Sequence, residues 1–337
     1  MPDILTLALE SSCDETSAAV LRNGKEVLSN VIASQIDIHV KYGGVVPEVA
    51  SRCHMENVTG VMTEALEKAG VKAEDIDVCA VTCGPGLVGA LLVGVAAMKA
   101  FAFGLNKPFV GVHHIEGHIL ANHIEHEIEF PYITLVVSGG HTHLVLVEGF
   151  GRYKVLGRTR DDAAGEAYDK TARILDLGYP GGPKIDKLAK EGDPHAIHFP
   201  MAQLGDSYDF SFSGLKSAVI NYEHNLRQKG LPVPKADIAA SFQEAVVSVL
   251  EDKLFRAAKA YGVKTVTLSG GVAANTALRG RLSSRAEQEG IRFCCPSFVY
   301  CTDNAAMIGV AAHHRYLAGK TNDLYLNAFA TLELEEF

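Results

Sequence analysis

The chain lacks a cysteine framework. Its seven cysteines are odd in number and carry no metal-finger spacing. The only neighbours, Cys294 and Cys295, are adjacent residues, which seldom bridge. No secretory leader is expected either: the opening MPDILTLALE carries an acid at Asp3 and does not read as a signal peptide. Both absences make a reducing cytoplasm the expected compartment. Positive charge is in deficit. A formal net charge of −9 argues against holding nucleic acid by overall charge, although 31 lysines and arginines leave room for a local basic patch. An unbroken membrane-length apolar run is also absent. The nearest to one, GLVGALLVGVAAMKAFAFGL from Gly86 to Leu105, is interrupted by Lys99 and spaced by Gly86, Gly89 and Gly94. It reads as a tightly packed core helix, and no membrane is expected.

What is present describes a globular α/β protein. A hydrophobic fraction of 47% and a charged fraction of 21% fit a packed chain, and 337 residues exceed one comfortable core. Strand and helix signals come in a repeated order. ILTLALES is a buried run, and TSAAVLRNGKEVLSNVIAS is two strands joined at Asn23-Gly24, both tolerant of positive φ. A helix follows Pro47 and stops at Gly70. DVCAVTCGPG enters a turn before the glycine-spaced helix, and PFVGVHH is a further strand. The second half then gives YITLVVSGGHTHLVLVEG, YKVLGRTR, helices over GEAYDKTARILDL and from about Ala236 to Tyr261, and the strand and turn VKTVTLSGGVAAN. The two halves align locally, Val78, Val81, Thr82 and Gly86 matching Val263, Val266, Thr267 and Gly271. Duplicated α/β domains facing each other across a cleft are expected, with one long mixed sheet as the alternative.

The stretch VHHIEGHIL carries the sharpest chemistry. Residues four apart on a helix lie about 40° apart, so His114 and His118 share a face that can bind a transition metal. An isolated pair reads equally as solvated helix histidines. His113, His123, His126 and Glu116 crowd the same segment. A zincin-type peptidase needs its glutamate directly after the first histidine. Here Glu116 stands two residues on, about 200° around the helix, which counts against that reading.

Other candidates are weaker singly. The turns in VVSGGHTH and LSGGVAAN expose backbone N–H groups at strand ends, and the second enters a helix N-terminus suited to an anion. With GPGLVG and LGYPGGPKID they favour a nucleotide cleft. Asp14 and Glu15 in SSCDET read either as turn acids or as metal or hydroxyl partners. Asp169 either accepts ribose hydroxyls or favours a helix dipole. Asp303 and Asn304 precede an apolar helix, so Asp303 is either part of an N-cap or the third metal ligand.

Taken in order, ALESSCDET, YGGVVPEVASR, GPGLVGALLVG, VHHIEGH, LVVSGGHT, DDAAGEAYDK, GYPGGP, FSFSGLK, SGGVAAN and CTDNAAMI make the chain resemble the TsaD family along nearly its whole length. That resemblance implies the actin-like ATPase (ASKHA) superfold, two ribonuclease-H-like domains around a central cleft. The implied subdomains are 1–130 with 306–337, and 131–305. It implies transfer of a threonylcarbamoyl group from threonylcarbamoyl-AMP to N6 of the adenine next to the anticodon in tRNAs reading ANN codons. By the same resemblance, His114, His118 and Asp303 match metal ligands, with Fe(2+) favoured over Zn(2+). Val136, Val137, Ser138, Gly139 and Gly140 match the substrate turn, and Asp169, Gly182, Asp186 and Asn275 match nucleotide contacts for threonylcarbamoyl-AMP, ATP or ADP. Bacterial members work with an inactive paralogue, TsaB, and a P-loop ATPase, TsaE. No P-loop motif occurs in this chain, so that ATPase is expected as a separate protein. The rival readings are a metallopeptidase, the label once attached to the family, and an ATP-dependent switch or chaperone of the same fold. Candidate tRNA contacts are Lys41 and Arg52 in KYGGVVPEVASR and Lys216 in FSFSGLKS.

Overall fold

Local signals place the first elements. In the computed structural model, which describes residues 3–202 and 204–337, β1 (Leu5–Glu10) pairs antiparallel with β2 (Glu15–Arg22), and β2 with β3 (Glu26–Ser34). Asn23 and Gly24 join β2 to β3 with φ of 54° and 63°, the left-handed pair that suits strand twist. Helix α1 (Pro47–Ala69) has proline in its first turn and ends on Gly70 at φ 67°. Then come β4 (Val78–Gly84), α2 (Val88–Leu105), β5 (Phe109–His113) and α3 (His114–Leu120). The second half runs β6 (Tyr132–Val137), β7 (Thr142–Gly149), β8 (Arg152–Arg158), α4 (Ala164–Ile174), α5 (Gly181–Ala189), α6 (Ser213–Gln228) and α7 (Lys235–Tyr261). It closes with β9 (Thr265–Ser269), α8 (Thr276–Glu289), β10 (Arg292–Cys294) and α9 (Ala305–Leu317).

The chain forms two units, one of Met1–Ile128, Gly149–Tyr153 and Pro296–Phe337, the other of Glu129–Glu148 and Lys154–Cys295. Each is built on one five-stranded sheet, ordered β3-β2-β1-β4-β5 in the first and β10-β9-β6-β7-β8 in the second. Counting strands from the start of each half, these are the same order. The alternative of one long mixed sheet gives way to two copies of one topology. The aligned segments VCAVTCG and TVTLS are β4 and β9, each parallel to the first strand of its own sheet.

Parallel central strands need cover on both faces, so they read as unbroken apolar runs. β4, β5, β6 and β9 are buried at every position. In the first unit Leu7, Leu9, Val20, Val81, Met98 and Phe109 share one core. The glycine-spaced α2 is long and apolar enough to cross a membrane by length and composition. It packs on α1 and β4 through a face that includes Ala90, Leu91, Gly94, Val95 and Met98. Gly94 and Gly89 are close-approach positions: a Cβ there would collide with Ser11 Oγ or Ser51 Oγ.

Candidate metal centre and nucleotide contacts

In the first unit the chemistry gathers where parallel strands end. β5 finishes at His113, whose Nδ1 accepts the Ile115 N–H at 3.1 Å while Nε2 donates to the Leu332 carbonyl at 3.0 Å. His113 is thus the cap of α3 and turns away from ligand work. Every residue of α3 is buried, because Gly117 lets it lie against α9. A Cβ on Gly117 would stand 2.7 Å from Ile308 Cδ1 and 3.2 Å from Met307 Cγ. At the start of α9 the Asn304 side chain accepts the Met307 N–H at 3.1 Å. Asn304 does the capping, and Asp303 faces the histidines.

His118 Nε2 lies 3.0 Å and His114 Nε2 3.5 Å from the same oxygen, Asp303 Oδ1. The imidazoles stand edge to face with centroids 4.7 Å apart. Candidate ligand atoms of the three residues all fall within 4.8 Å of one another. On its other side, His114 Nδ1 meets Ser12 Oγ at 3.1 Å and Glu10 Oε2 at 3.2 Å. Burial alone would lower the His114 imidazole, but Asp303 and Glu10 raise it to about 9. Burial likewise opposes ionisation of Glu10, yet His114 holds that carboxyl below its ordinary value. Two imidazole nitrogens and one carboxylate oxygen, turned toward a common point in a buried acidic setting, fit iron(II) or zinc(II).

Asp14 and Glu15 stand outside this cluster, and among the described residues only His114, His118 and Asp303 gather at metal-binding spacing. Glu15 still senses the site: burial, Asp303 and Asp14 push its carboxyl up to about 10. Burial drives the Cys13 thiol well above its ordinary value, with Asp14 and Asp303 adding to it, which suits a packing residue and not a nucleophile. Glu116 points away. Its Oε1 accepts the Tyr153 hydroxyl at 2.9 Å and its Oε2 pairs with Arg315 at 3.1 Å. The one acid between the two histidines is thus engaged with Tyr153 and Arg315.

In the second unit, Val136 and Val137 are buried at the end of β6. The turn beyond is closed by Ser138, whose N–H donates to the His141 carbonyl at 2.8 Å and whose Oγ accepts the His141 N–H at 3.1 Å. Gly139 and Gly140 are exposed, and a Cβ on either would meet nothing within 4 Å among the described residues. Their backbone is open to a ligand. Two other glycines press on this turn: a Cβ on Gly165 would lie 2.5 Å from the Ser138 carbonyl, and one on Gly270 would collide with that of Val137. Gly270 also sits at φ +88°. The second glycine turn does not enter α8 directly. A 3-10 turn over Gly271–Ala274 intervenes, and Asn275 then caps α8 by accepting the Leu278 N–H at 2.8 Å.

The remaining nucleotide candidates separate. Asp169 Oδ1 accepts the Gly181 N–H at 2.7 Å and so holds the start of α5, where Gly182 leaves open space. Asp186 Oδ2 accepts the Thr276 N–H and hydroxyl at 3.3 and 2.8 Å, while its buried Oδ1 has no hydrogen-bond partner among the described residues. The Asn275 amide donates to Gln243 at 2.7 Å. Gln243 and Thr276 line a cavity of about 350 Å³ with Lys190, Ala240, Ala277 and Arg281, a volume in the small-ligand range. Of the basic residues considered for tRNA, Lys216 pairs with Asp162 at 2.8 Å and Arg52 with Glu48 at 2.7 Å. Asp161, from the DDAAGEAYDK motif, receives the N–H groups of Phe212 and Ser213 at the start of α6. Sequence reasoning missed Glu10, Gly117 and Asp161; an acid ending a buried strand was the available signal for the first.

Comparison with known proteins adds names to these features. The family model for TsaD, tRNA N6-adenosine threonylcarbamoyltransferase, matches residues 26–310. A protein of that name from Clostridioides difficile (strain 630) is 58% identical over 338 residues, covering 100% of both chains. One from Staphylococcus aureus (strain Newman) is 55% identical over 336 residues, covering 99% of this chain and 98% of its own. Among solved structures, full-length HypF in its phosphate- and nucleotide-bound form has a TM-score of 0.62 at 15% identity, over 93% of this chain and 46% of that one. Component A of the Acidaminococcus fermentans (R)-2-hydroxyglutaryl-CoA dehydratase gives 0.53 at 16% identity, over 93% and 99%. These likenesses carry the fold: duplicated ribonuclease-H-like domains of the actin-like ATPase superfold.

Proposed function

The chain belongs to the TsaD family and is a transferase, and from that premise we propose that it forms N6-threonylcarbamoyladenosine in tRNA. The donor is threonylcarbamoyl-AMP, a mixed anhydride, and the acceptor is the N6 amine of the adenine next to the anticodon in tRNAs reading ANN codons. The amine nitrogen bonds to the carbamoyl carbon, the bond from that carbon to the phosphate oxygen breaks, the amine gives up a proton, and AMP leaves. An exocyclic amine is a poor nucleophile, so positioning and charge stabilisation carry more of the rate than any covalent step.

The observation that carries this reading is the convergence of His114, His118 and Asp303 on one point in a chain of this family. They would hold a divalent metal, iron(II) favoured and zinc(II) the alternative. Such an ion, when bound, supplies Lewis acidity toward carbamoyl oxygens. In the second unit the open Gly139-Gly140 backbone takes phosphate oxygens, and Oδ1 of Asp186 takes a ribose hydroxyl. Asp169, Gly182 and Asn275 shape the turns around the nucleotide. Partners in the proposal are tRNA, a TsaB-type paralogue and a TsaE-type P-loop ATPase, and the compartment is the cytoplasm, where such tRNAs are made. Incubation of the chain with those two proteins, threonylcarbamoyl-AMP, ATP and tRNA, followed by mass analysis of digested nucleosides, tests it. Modified adenosine is expected, and it should vanish in His114→Ala. Equal product from that variant, shown free of metal, would remove the metal role.

A further inference from the structure

Glu10 ends β1 with its side chain wholly buried. Its Oε1 accepts the Ser12 N–H at 2.5 Å, and its Oε2 meets the Thr82 hydroxyl at 2.5 Å and His114 Nδ1 at 3.2 Å. His114 Nδ1 also meets Ser12 Oγ at 3.1 Å. These contacts decide a choice that the triad leaves open. An imidazole ligates through the nitrogen that carries no proton, and a hydrogen bond at the opposite nitrogen selects which one that is. A serine hydroxyl serves either tautomer, since it donates or accepts. An ionised carboxylate only accepts. We infer that Glu10 is a positioning residue for the metal, holding the proton of His114 on Nδ1 so that Nε2 faces Asp303 as a ligand. The inference rests on the metal reading of the triad. It also gives a divalent ion two carboxylates, the half-buried Asp303 beside it and the buried Glu10 one imidazole away, which balances the charge taken out of water.

Glu10→Gln keeps the shape and reverses the polarity. If the Gln oxygen keeps the Ser12 N–H, its amide N–H groups face His114 Nδ1 and favour the tautomer that places a proton on Nε2. Zn²⁺ affinity of the full chain, read by competition with a chelating dye, should fall about 10- to 100-fold. The helix content and melting of the metal-free protein should remain near the parent's. In zinc-loaded, ¹⁵N-histidine-labelled protein, the Nδ1–H resonance of His114 should move while that of His118 stays. Unchanged affinity would overturn the inference, and so would lost affinity with an unmoved His114 resonance. Should Glu10→Gln fail to fold, Ser12→Ala decides. With Glu10 still present, affinity should stay within about twofold, and a tenfold loss would overturn the role given to Glu10. A parent chain that takes up no Zn²⁺ would instead remove the metal reading itself.

Discussion

Glu116 and Arg315 form a buried ion pair, Oε2 to Nη1 at 3.1 Å, with side chains 2% and 9% exposed. Burial raises the Glu116 carboxyl while Arg315 and the Tyr153 hydroxyl pull it down. Arg315 also lies over the Phe337 ring, 4.0 Å from its centroid. The acid between the two histidines therefore anchors α3 to α9 and to the last residues of the first unit. Removing one member of such a pair strands the other charge, a loss of about 3–5 kcal/mol. Glu116→Ala should lower stability in denaturant titration by that order, and Glu116→Ala combined with Arg315→Met should recover part of it. No recovery in the double variant would mean that the stranded guanidinium is not the cause.

Gly117 sets the distance between α3 and α9, because Ile308 and Met307 occupy the space a side chain would need. Alanine there can be met by rotation of Ile308 at its far end; leucine cannot. Gly117→Leu should part the helices and draw His114 and His118 away from Asp303. Metal content after purification should fall steeply in Gly117→Leu and modestly in Gly117→Ala, with circular dichroism showing the helices retained. Full metal content in Gly117→Leu would show that close helix approach does not govern the site.

Local chemistry made much of the fold legible. Asn23-Gly24, Pro47 and Gly70 act within a few residues of themselves, and the structure uses each where the sequence expects it. Paired contacts across the chain had no such signal. In the sequence Asp303 is open to two roles, cap or ligand, and side-chain reach decides between them: Asn304 takes the Met307 N–H while Asp303 stands 3.0 Å from His118. Asp169 and Asn275 each carry a helix-start hydrogen bond, which the sequence could not tell from a nucleotide contact. The 3-10 turn after Gly270 escaped because a helix entered from a Gly-Gly turn and one entered through an extra turn share the same residues.

The proposed ribose contact rests on a buried oxygen of Asp186. Thr276 occupies Oδ2, and Oδ1 has no partner among the described residues. A hydrogen bond between a charged group and a hydroxyl contributes about 1.5–3 kcal/mol, roughly 10- to 100-fold in affinity. Asp186→Ala should weaken AMP or ADP binding by that factor in calorimetry. A deoxyribose analogue should bind the parent weakly and show little further loss in the variant. Equal losses for both nucleotides in the variant would place the ribose elsewhere.

Asp161 makes the stability of the second unit depend on acid. Its carboxylate accepts the N–H groups of Phe212 and Ser213 at 2.8 and 3.1 Å and the hydroxyls of Ser211 and Ser213, doing for α6 what Phe212 at the N-cap cannot. Partial burial opposes ionisation, but these donors together hold the group below its ordinary 3.8. A folded value under the unfolded one means that the folded state binds this proton less readily. The contribution is therefore complete well above pH 3.8, starts to fade at about pH 5 as the unfolded carboxyl begins to titrate, and is lost as pH falls through the lower folded value. The residue is exposed to solvent, so the expected size is that of an N-cap, about 1 kcal/mol. Asp161→Ala should be less stable than the parent by that amount in urea at about pH 7. The gap should hold down to about pH 5 and close on further acidification, once the parent's carboxylate is protonated. A gap that persists unchanged into acid would assign the loss to packing and not to the charged cap.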